Sequence, residues 1–286
     1  MAQHTVGILH PGNMGISIAA AAQKSGSAVY WASEGRSAQT RERAEKHCLL
    51  DAGTMANLCT LSSLIICVCP PDAALEVARE VVAHGFQGVY LDANAISPRR
   101  AMEIAQVVEG GGADFVDGGI IGGPAWKPGT TWLYLSGPRA EFVAAHFSQG
   151  PLQTVVMGDE IGRASAIKMC YAAYTKGTTA LLCAILATAE RLNVREQLIQ
   201  QWSMEEWDLA ERAPERARRV TAKAWRFEGE MREISTTFVD AGMPRGFHEA
   251  AAAVYRRIAH FKDAPSTPSI ESVLDALLSE PGPDGS

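Results

Sequence analysis

The stretch Val6-Gly7-Ile8-Leu9-His10-Pro11-Gly12-Asn13-Met14-Gly15 decides how the first half of this chain folds. Within it, the short β-rich run Thr5–Leu9 predicts a strand, and residues 10–15 predict a tight turn. The Ala-rich residues 16–24 that follow predict a helix, because alanine has the highest helix propensity. A strand, a turn and a helix in this order are the beginning of a βαβ unit.

The same alternation continues to about residue 116. Further strands are predicted at residues 28–31, 61–69, 88–91 and 114–116, and helices at residues 39–47, 73–82 and 99–109. Short strands that alternate with helices indicate a mostly parallel, doubly wound sheet with helices on both faces. We therefore predict an α/β Rossmann domain at the N-terminus.

The second half of the chain changes character. Residues 161–192 form an almost continuous helical pattern, and more helices are predicted at residues 195–201, 204–213, 216–241 and 247–260. No strand is predicted beyond about residue 156. We expect a Rossmann domain over residues 1–160, an all-α substrate and dimerisation domain over residues 161–279, and a flexible Pro/Gly-rich tail over residues 280–286.

Composition narrows the possible functions. Of the 286 residues, 47% are hydrophobic and 20% are charged, which is typical of a globular protein and not of a disordered or fibrous one. The net charge of −6 disfavours binding to nucleic acid. No run approaches the ~20 apolar residues that a membrane helix needs. The six cysteines form no CxxC pair, so we expect no metal site and a cytoplasmic location.

The turn at residues 10–15 is suited to a dinucleotide. Gly12 lets the backbone approach a pyrophosphate, Gly15 lets the helix pack closely on the strand, and the helix N-terminus attracts phosphate. We predict cofactor contacts from His10, Pro11, Gly12, Asn13, Met14 and Gly15. His10 departs from the fingerprint because it occupies the position of the first glycine, and a βα turn without a ligand is the alternative.

The end of the second strand bears on the choice of cofactor. NAD sites usually place Asp or Glu there, whereas this chain has Ser33, with Arg36 and Ser37 just beyond. A hydroxyl and a guanidinium group suit a 2′-phosphate, which favours NADP(H) over NAD(H). Glu34 supports the opposite choice, because its carboxylate could accept the ribose hydroxyls.

Four motifs follow one another along the chain. They are Gly12-Asn13-Met14-Gly15, Asp92-Ala93-Asn94-Ala95-Ile96-Ser97-Pro98, Asp117-Gly118-Gly119-Ile120-Ile121-Gly122-Gly123-Pro124 and Gly162-Arg163-Ala164-Ser165-Ala166-Ile167-Lys168. With these motifs the chain resembles the β-hydroxyacid dehydrogenases, which include 3-hydroxyisobutyrate and 6-phosphogluconate dehydrogenases and the imine reductases. The second half most resembles a poorly characterised subgroup with a short C-terminal helical domain.

The resemblance implies a role for each motif. Lys168 would be the catalytic residue, and Cys69, Pro70 and Asn94 would lie beside the cofactor. Six residues would contact the substrate: Ile121, Gly122, Gly123, Tyr171, Ala172 and Thr175.

Three positions depart from the family pattern. Ile121 stands where the family commonly has Ser, Ala172 stands where it has Asn, and Gly229-Glu230 falls where it has a Lys-Asp pair. Since the first two positions normally hold a hydroxy acid, we expect a bulkier or more apolar substrate.

Lys168 suits acid/base chemistry. In the oxidation, a base must take the hydroxyl proton while a hydride leaves the carbon atom. In the reduction, an acid must give a proton back to the oxygen. A lysine with a lowered pKa can act as the base or as the acid. Helical spacing predicts that the hydroxyls of Ser165, Tyr171 and Thr175 share its face. Sequence chemistry alone, without position and resemblance, would make Lys168 an ordinary surface charge.

The function that follows is an oxidoreductase, favouring NADP(H), that transfers a hydride between the nicotinamide and a hydroxyl or carbonyl carbon. Three alternatives stay open: reduction of an imine C=N bond, oxidation of a 3-hydroxy acid followed by decarboxylation, and a dinucleotide-binding regulatory protein without turnover. The expected partners are a small-molecule substrate and a second copy of the chain in a homodimer.

Overall fold

The computed structural model describes residues 5–205 and 207–279. The chain divides between Met169 and Cys170 into two compact units. The first unit holds every strand of the described residues and the second is helical. The domain limits of 1–160 and 161–279 stay a prediction, and the tail at 280–286 lies outside the described residues.

The first unit is built on one sheet of eight strands. In chain order they are β1 (Thr5–Leu9), β2 (Ala28–Trp31), β3 (Leu50–Asp51), β4 (Leu64–Cys67), β5 (Val89–Asp92), β6 (Asp114–Gly122), β7 (Thr131–Ser136) and β8 (Gln153–Val156). Their order across the sheet is β3-β2-β1-β4-β5-β6-β7-β8. All neighbours are parallel except β6 and β7, which form an antiparallel hairpin.

Helices cover both faces of this sheet. They are α1 (Asn13–Lys24), α2 (Ala38–Lys46), α3 (Met55–Leu61), α4 (Ala74–Ala83), α5 (Pro98–Gly110), α6 (Ala140–Ala145) and the beginning of α7 (Arg163–Ala172), with a 3₁₀ turn at Pro71–Ala73. Alternate residues of a strand point to opposite faces. Ile66 therefore packs in the core beneath α1, whereas Ile65 packs in the core beneath α4 and α5. The predicted α/β class with a doubly wound sheet is confirmed.

The second unit is a set of packed helices. After α7 come a π-helical turn at Ala173–Gly177, α8 (Thr178–Arg191), α9 (Arg195–Glu205), α10 (Trp207–Asp240), α11 (Gly246–Arg257), a 3₁₀ turn at Ala259–Asp263 and α12 (Ile270–Leu278). Arg216 on α10 ties the π-helical turn to α8, because its Nη2 donates to the Thr179 hydroxyl at 2.6 Å and to the Thr175 carbonyl at 3.1 Å. No helix among the described residues is long and apolar enough to cross a membrane.

Several elements differ from the sequence prediction. Strand β6 continues to Gly122, six residues beyond the predicted end, and the short elements β3, β7, β8, α3, α6 and α12 were not predicted. Glycine weakens a strand, so Gly118, Gly119 and Gly122 gave no strand prediction beyond residue 116, but pairing with β7 keeps the segment extended. Helix α10 also continues through Pro214, where the sequence predicted a break between two helices.

Candidate functional site

The turn after β1 has the geometry of the dinucleotide fingerprint in spite of His10. His10 has a φ of +64°, a left-handed conformation that favours glycine, and its carbonyl accepts the Gly12 N–H at 2.7 Å. A Cβ atom on Gly15 would lie 2.6 Å from the His10 carbonyl oxygen. Gly15 is therefore required for the close approach of α1, and His10 adopts the conformation that the first glycine would supply.

The N-terminus of α1 is open to an anion. Its N-cap residue is Gly12, no side chain caps the helix, and its first turn contains no acidic residue. A Cβ atom on Gly12 would have only the His10 oxygen within 4 Å, at 3.9 Å, so the approach to the turn is uncrowded. The first N–H groups of a helix lack intrahelical acceptors, and the helix dipole is positive here. This donor set fits a pyrophosphate.

The segment after β2 places a cation near the turn. Ser33 is buried, and Arg36 is half-buried with an Nε that has no hydrogen-bond partner among the described residues. Ser37 has a local structural role, because its hydroxyl caps α2 by accepting the Thr40 N–H at 3.3 Å. The side chain of Glu34 is exposed.

The environment of His10 predicts a specific pH dependence. Burial, with a smaller contribution from the Arg36 charge, lowers the pKa of His10 from 6.5 to about 4. As the pH falls from about 6.5 towards 4, the unfolded chain takes up a proton that the folded chain excludes, so stability should fall in that window. We expect His10→Gly to lose less unfolding free energy than the parent between pH 7 and pH 4.5, because the titrating ring is gone.

Urea unfolding at the two pH values measures this difference for each variant. His84→Gln, at an exposed position, is the control and should behave like the parent. A His10→Gly protein that loses as much stability on acidification as the parent would contradict the prediction.

The ends of β4 and β5 meet through Asn94. Its Oδ1 accepts the Cys69 N–H at 2.6 Å, and its Nδ2 donates to Asp92 Oδ2 at 3.0 Å and to Cys67 Sγ at 3.4 Å. Asn94 is therefore a buried residue whose hydrogen bonds join the two strand ends.

The two cysteines beside Asn94 also contact each other. The Cys67 and Cys69 sulfur atoms lie 3.7 Å apart, and this contact, with burial, raises the pKa of the Cys69 thiol. Pro70 follows in extended backbone and starts the 3₁₀ turn. The predicted cofactor contacts of these residues stay predictions.

Lys168 is half-buried on α7 and reaches back to the sheet. Its Nζ donates to the carbonyl of Ile120 on β6 at 2.5 Å. The backbone of β6 also contacts α7 directly, since a Cβ atom on Gly119 would overlap the Ala164 carbonyl and lie 3.1 Å from Lys168 Cβ. The ammonium group therefore lies beside the projecting end of β6.

Asp117 on β6 organises the beginning of α7. Its fully buried carboxylate accepts four hydrogen bonds, from Ser165 Oγ at 2.5 Å, Ser165 N at 2.9 Å, Gly162 N at 3.0 Å and Ser136 Oγ at 3.1 Å. Burial raises the pKa of Asp117, and the four donors oppose that shift. The Ser165 hydroxyl, predicted to share the helix face of Lys168, donates to this carboxylate.

The motif predicted to contact the substrate, residues 117–124, is mostly a strand. Ile121 is buried and pairs with Trp132, and Gly122 pairs with Thr131. Gly122 has a φ of +120°, and a Cβ atom there would overlap the Thr130 carbonyl, so only glycine fits. The Gly123 carbonyl accepts the Thr131 hydroxyl at 2.7 Å. Gly122 and Gly123 therefore shape the hairpin, and their N–H groups stay a predicted, untested substrate contact.

The other three predicted substrate contacts belong to the second unit. Tyr171 is 47% exposed and Ala172 is buried. Thr175 lies within the π-helical turn, where hydrogen bonds run from i to i+5. The α-helical i+7 spacing from Lys168 therefore does not determine whether Thr175 shares the helix face of Lys168. Its hydroxyl donates to the Tyr171 carbonyl at 3.1 Å. The roles of these residues stay predictions.

A cleft of about 380 Å³ is lined by residues of α1, of α2 and of the tip of the β6–β7 hairpin. It is lined by Asn13, Ile16, Gln39, Glu42, Arg43, Lys46, His47, Pro124 and Trp126. Trp126 stacks on His47 with ring centres 5.1 Å apart, and Arg43 Nη1 donates to the Pro11 carbonyl at 3.2 Å. The hairpin tip is held there because Ala125 N donates to Ser17 Oγ at 2.9 Å.

Sequence reasoning named Asp117 only within a motif and gave no role to Asp117 or to Arg43. A carboxylate directly after the apolar pair Phe115-Val116 was a usable signal for Asp117, because a charged residue beside a buried run needs partners. No sequence signal distinguishes Arg43 from the other charges of α2. No group of three or more metal-ligating side chains lies together in the part of the chain that the structure describes.

Comparisons with known proteins agree with this architecture. Residues 5–146 match the NAD binding domain of 6-phosphogluconate dehydrogenase, and residues 189–258 match a domain of unknown function, DUF1932. An uncharacterised 28.5 kDa protein in the 7S RNA 5′ region of Methanothermus fervidus is 29% identical over 168 residues, 58% of this chain. The match spans 64% of that relative, which is less than two thirds of its length.

Two solved structures share the fold along nearly the whole chain. The conserved protein MTH1747 of unknown function, described as structurally similar to 3-hydroxyacid dehydrogenases, is 28% identical with a TM-score of 0.65, covering 90% of this chain and 98% of its own. The 3-hydroxyisobutyrate dehydrogenase of Mycobacterium tuberculosis is 17% identical with a TM-score of 0.68, covering 97% and 100%. At that identity the second likeness shows the fold alone.

A Rossmann sheet with a glycine turn open to phosphate, followed by a helical unit, defines a class of two-part dinucleotide-binding proteins. The matches to the NAD binding domain and to DUF1932, together with the likeness to MTH1747, support the β-hydroxyacid dehydrogenase-like superfamily with a C-terminal helical domain. The predicted resemblance is confirmed.

Proposed function

We propose that this protein is an NADP(H)-dependent oxidoreductase that transfers a hydride between the nicotinamide and a hydroxyl or carbonyl carbon, with Lys168 as general acid/base. The observation that carries the proposal is the position of the Lys168 ammonium at the end of β6, in the same unit as the dinucleotide turn. When bound, the nicotinamide supplies or accepts the hydride.

The register of the strands supports the proposal that the dinucleotide turn and Lys168 lie at the same edge of the sheet. Leu9 pairs with Cys67, Cys67 with Asp92, and Asp92 with Asp117, so the strand ends of β1, β4 and β5 are level with Asp117. Ile120 lies three residues further along β6 and projects beyond them. Open parallel sheets bind ligands at the carboxyl ends of their strands. A substrate oxygen beside Lys168 Nζ would receive or lose its proton there, while the ammonium stabilises a developing alkoxide.

A choice between NADPH and NADH follows from Arg36. Its half-buried guanidinium near the turn supports recognition of a 2′-phosphate. A hydrogen bond to a charged partner is worth roughly 1.5–3 kcal/mol, so Arg36→Ala should weaken NADPH binding about 10- to 100-fold and leave NADH binding nearly unchanged. Fluorescence titration measures both dissociation constants.

The control for this prediction is Arg79→Ala, which removes a distant exposed arginine paired with Glu76. It should leave both affinities unchanged. An equal loss of NADPH and NADH affinity in Arg36→Ala would contradict the 2′-phosphate assignment, and tighter NADH binding by the parent would move cofactor recognition to Glu34.

The whole proposal is tested by titrating the protein with NADPH and NADH, and then measuring turnover with succinic semialdehyde, cyclohexanone and 2-methyl-1-pyrroline. We expect micromolar NADPH binding and reduction of at least one carbonyl compound. Preferential reduction of the pyrroline would favour the imine reductase alternative. Cofactor binding without any turnover would favour a regulatory protein, and no binding of either cofactor would refute the oxidoreductase proposal.

A homodimer belongs to the same proposal. Leu181 is 45% exposed and the half-buried Ile185 lies four residues further along α8, so the two form a short apolar stripe; Tyr174, in the preceding π-helical turn, is 72% exposed. Such a stripe supports helix packing against a second copy. Sedimentation equilibrium of the full chain measures the oligomeric state.

A cytoplasmic location, where nicotinamide cofactors and free thiols occur, is part of the proposal as well.

A further inference from the structure

We propose that Asp117 is a positioning residue that sets the location of Lys168 for proton transfer; this inference rests on the proposed function. The Asp117 carboxylate holds the first turn of the helix that carries the lysine. Its effect on catalysis would pass through that helix and not through contact with the reacting atoms.

The contacts fix α7 at two points. Asp117 Oδ2 accepts both the Gly162 N–H and the Ser165 N–H, so one carboxylate oxygen from the sheet binds two N–H groups of the helix beginning. Its other oxygen accepts the Ser165 hydroxyl at 2.5 Å. Because the two N–H groups lie three residues apart, α7 can neither rotate about its axis nor slide along it without breaking at least one of these bonds.

The same strand reaches the lysine at both ends of its side chain. Gly119 provides the space for α7 beside Lys168 Cβ, and the Ile120 carbonyl accepts from Nζ at 2.5 Å. A lysine has a long, flexible side chain, and ordering it costs conformational entropy. Fixing the helix base relative to β6 therefore places Nζ before the substrate arrives, which is the geometry that proton transfer requires.

The choice of a charged residue also has a physical reason. A buried carboxylate is costly unless donors compensate it, and Asp117 has four of them, including two N–H groups at the positive end of the α7 dipole. Asparagine has the same shape, but an NH2 group replaces one of the two carboxylate oxygens. That NH2 group is a hydrogen-bond donor and would face the N–H or O–H donors that now bind Asp117. Asp117→Asn should therefore loosen this junction without creating a cavity.

The test is a double-mutant cycle between Asp117→Asn and Lys168→Ala, using NADPH and whichever of succinic semialdehyde and cyclohexanone has the higher kcat/KM. Alone, Asp117→Asn should lower kcat at least tenfold, with the NADPH dissociation constant within twofold of the parent. If it acts through Lys168, it should cost less than twofold in the Lys168→Ala background.

Amine rescue adds a readout that a merely structural role would not produce. Added methylammonium can supply the missing acid to Lys168→Ala, and it is not attached to α7. The rescued rates of Lys168→Ala and of the double variant should therefore agree within twofold. If Asp117→Asn lowers the rescued rate as much as it lowers the parent rate, the residue acts on the fold or the cofactor and the positioning proposal is overturned.

Two further variants keep the outcomes distinct. Ser165→Ala removes one of the four hydrogen bonds to Asp117 and should lower kcat three- to tenfold. If Asp117→Asn does not fold, Ser165→Ala takes its place in the double-mutant cycle. Ser269→Ala removes the cap of α12 in the second unit and should leave kcat unchanged. If Lys168→Ala retains full turnover, the proposed function itself fails; if only the Asp117 and Ser165 variants retain it, the positioning proposal alone fails.

Discussion

Replacing Lys168 by alanine is expected to lower kcat by roughly 10²- to 10⁴-fold, the usual contribution of a positioned general acid or base. The NADPH dissociation constant should stay within twofold of the parent, because the dinucleotide turn and α1 do not involve this side chain. The expected loss is large because the ammonium is held beside the projecting end of β6, at 2.5 Å from the Ile120 carbonyl.

Steady-state kinetics with NADPH and the best carbonyl compound measure this effect, and fluorescence titration measures cofactor affinity. Lys168→Arg is informative because it keeps the charge but cannot release its proton near neutral pH, so it should recover little activity. Lys223→Ala, at an exposed position of α10, is the matched control and should retain full turnover. Unchanged kcat in Lys168→Ala would remove this residue from the mechanism.

The second large effect is expected in the helical unit, where Lys176 and Glu230 form a buried ion pair between the π-helical turn and α10. Their side chains are only 15% and 5% exposed. The Lys176 ammonium also lies 4.5 Å from the centre of the Phe227 ring, and its backbone carbonyl accepts the Tyr255 hydroxyl at 2.7 Å. The pair therefore anchors an irregular helical segment to the rest of the unit.

Glu230→Ala should lower the free energy of unfolding by about 3–5 kcal/mol, since it removes the carboxylate that compensates a largely buried lysine charge. The double variant Lys176→Met/Glu230→Leu should recover most of that loss, because it removes both desolvation costs and restores apolar volume. Urea unfolding followed by the helical circular dichroism signal measures both effects.

The matched control is Glu76→Ala, which breaks an exposed pair with Arg79 and should change stability by less than about 0.5 kcal/mol. A loss below about 1 kcal/mol in Glu230→Ala would mean that water reaches the lysine. A double variant as unstable as Glu230→Ala would mean that packing, and not the lost ion pair, causes the loss.

Local patterns in the sequence were sufficient for the first βαβ unit and for the helical second half. Strands β1 and β2 have the predicted limits, and α1 begins three residues earlier than predicted. These elements are encoded by apolar spacing and alanine content over five to twelve residues, which are properties of neighbouring positions. The glycine turn was recognisable for the same reason.

The limits of β6 could not be predicted from local pattern. The Asp117–Gly122 segment contains two glycines followed by a pair of isoleucines and a third glycine, a composition that resembles a loop. Its extended form depends on pairing with β7, whose partners lie between 9 and 19 residues away in the chain. A strand that is stabilised by its partner has no complete signal of its own.

The sequence by itself determined a strand–turn–helix able to receive a dinucleotide, the alternation that builds a parallel sheet, the change to helices, and a lysine at a recognisable position. Only the tertiary structure decided that His10 takes the conformation of a glycine, that Trp126 stacks on His47, and that Asp117 holds the helix of Lys168. The physical reason is distance along the chain. The Asp117 bonds to Gly162 and Ser165 join residues 45 and 48 positions apart, and contacts of that separation exist only after the sheet has brought the segments together.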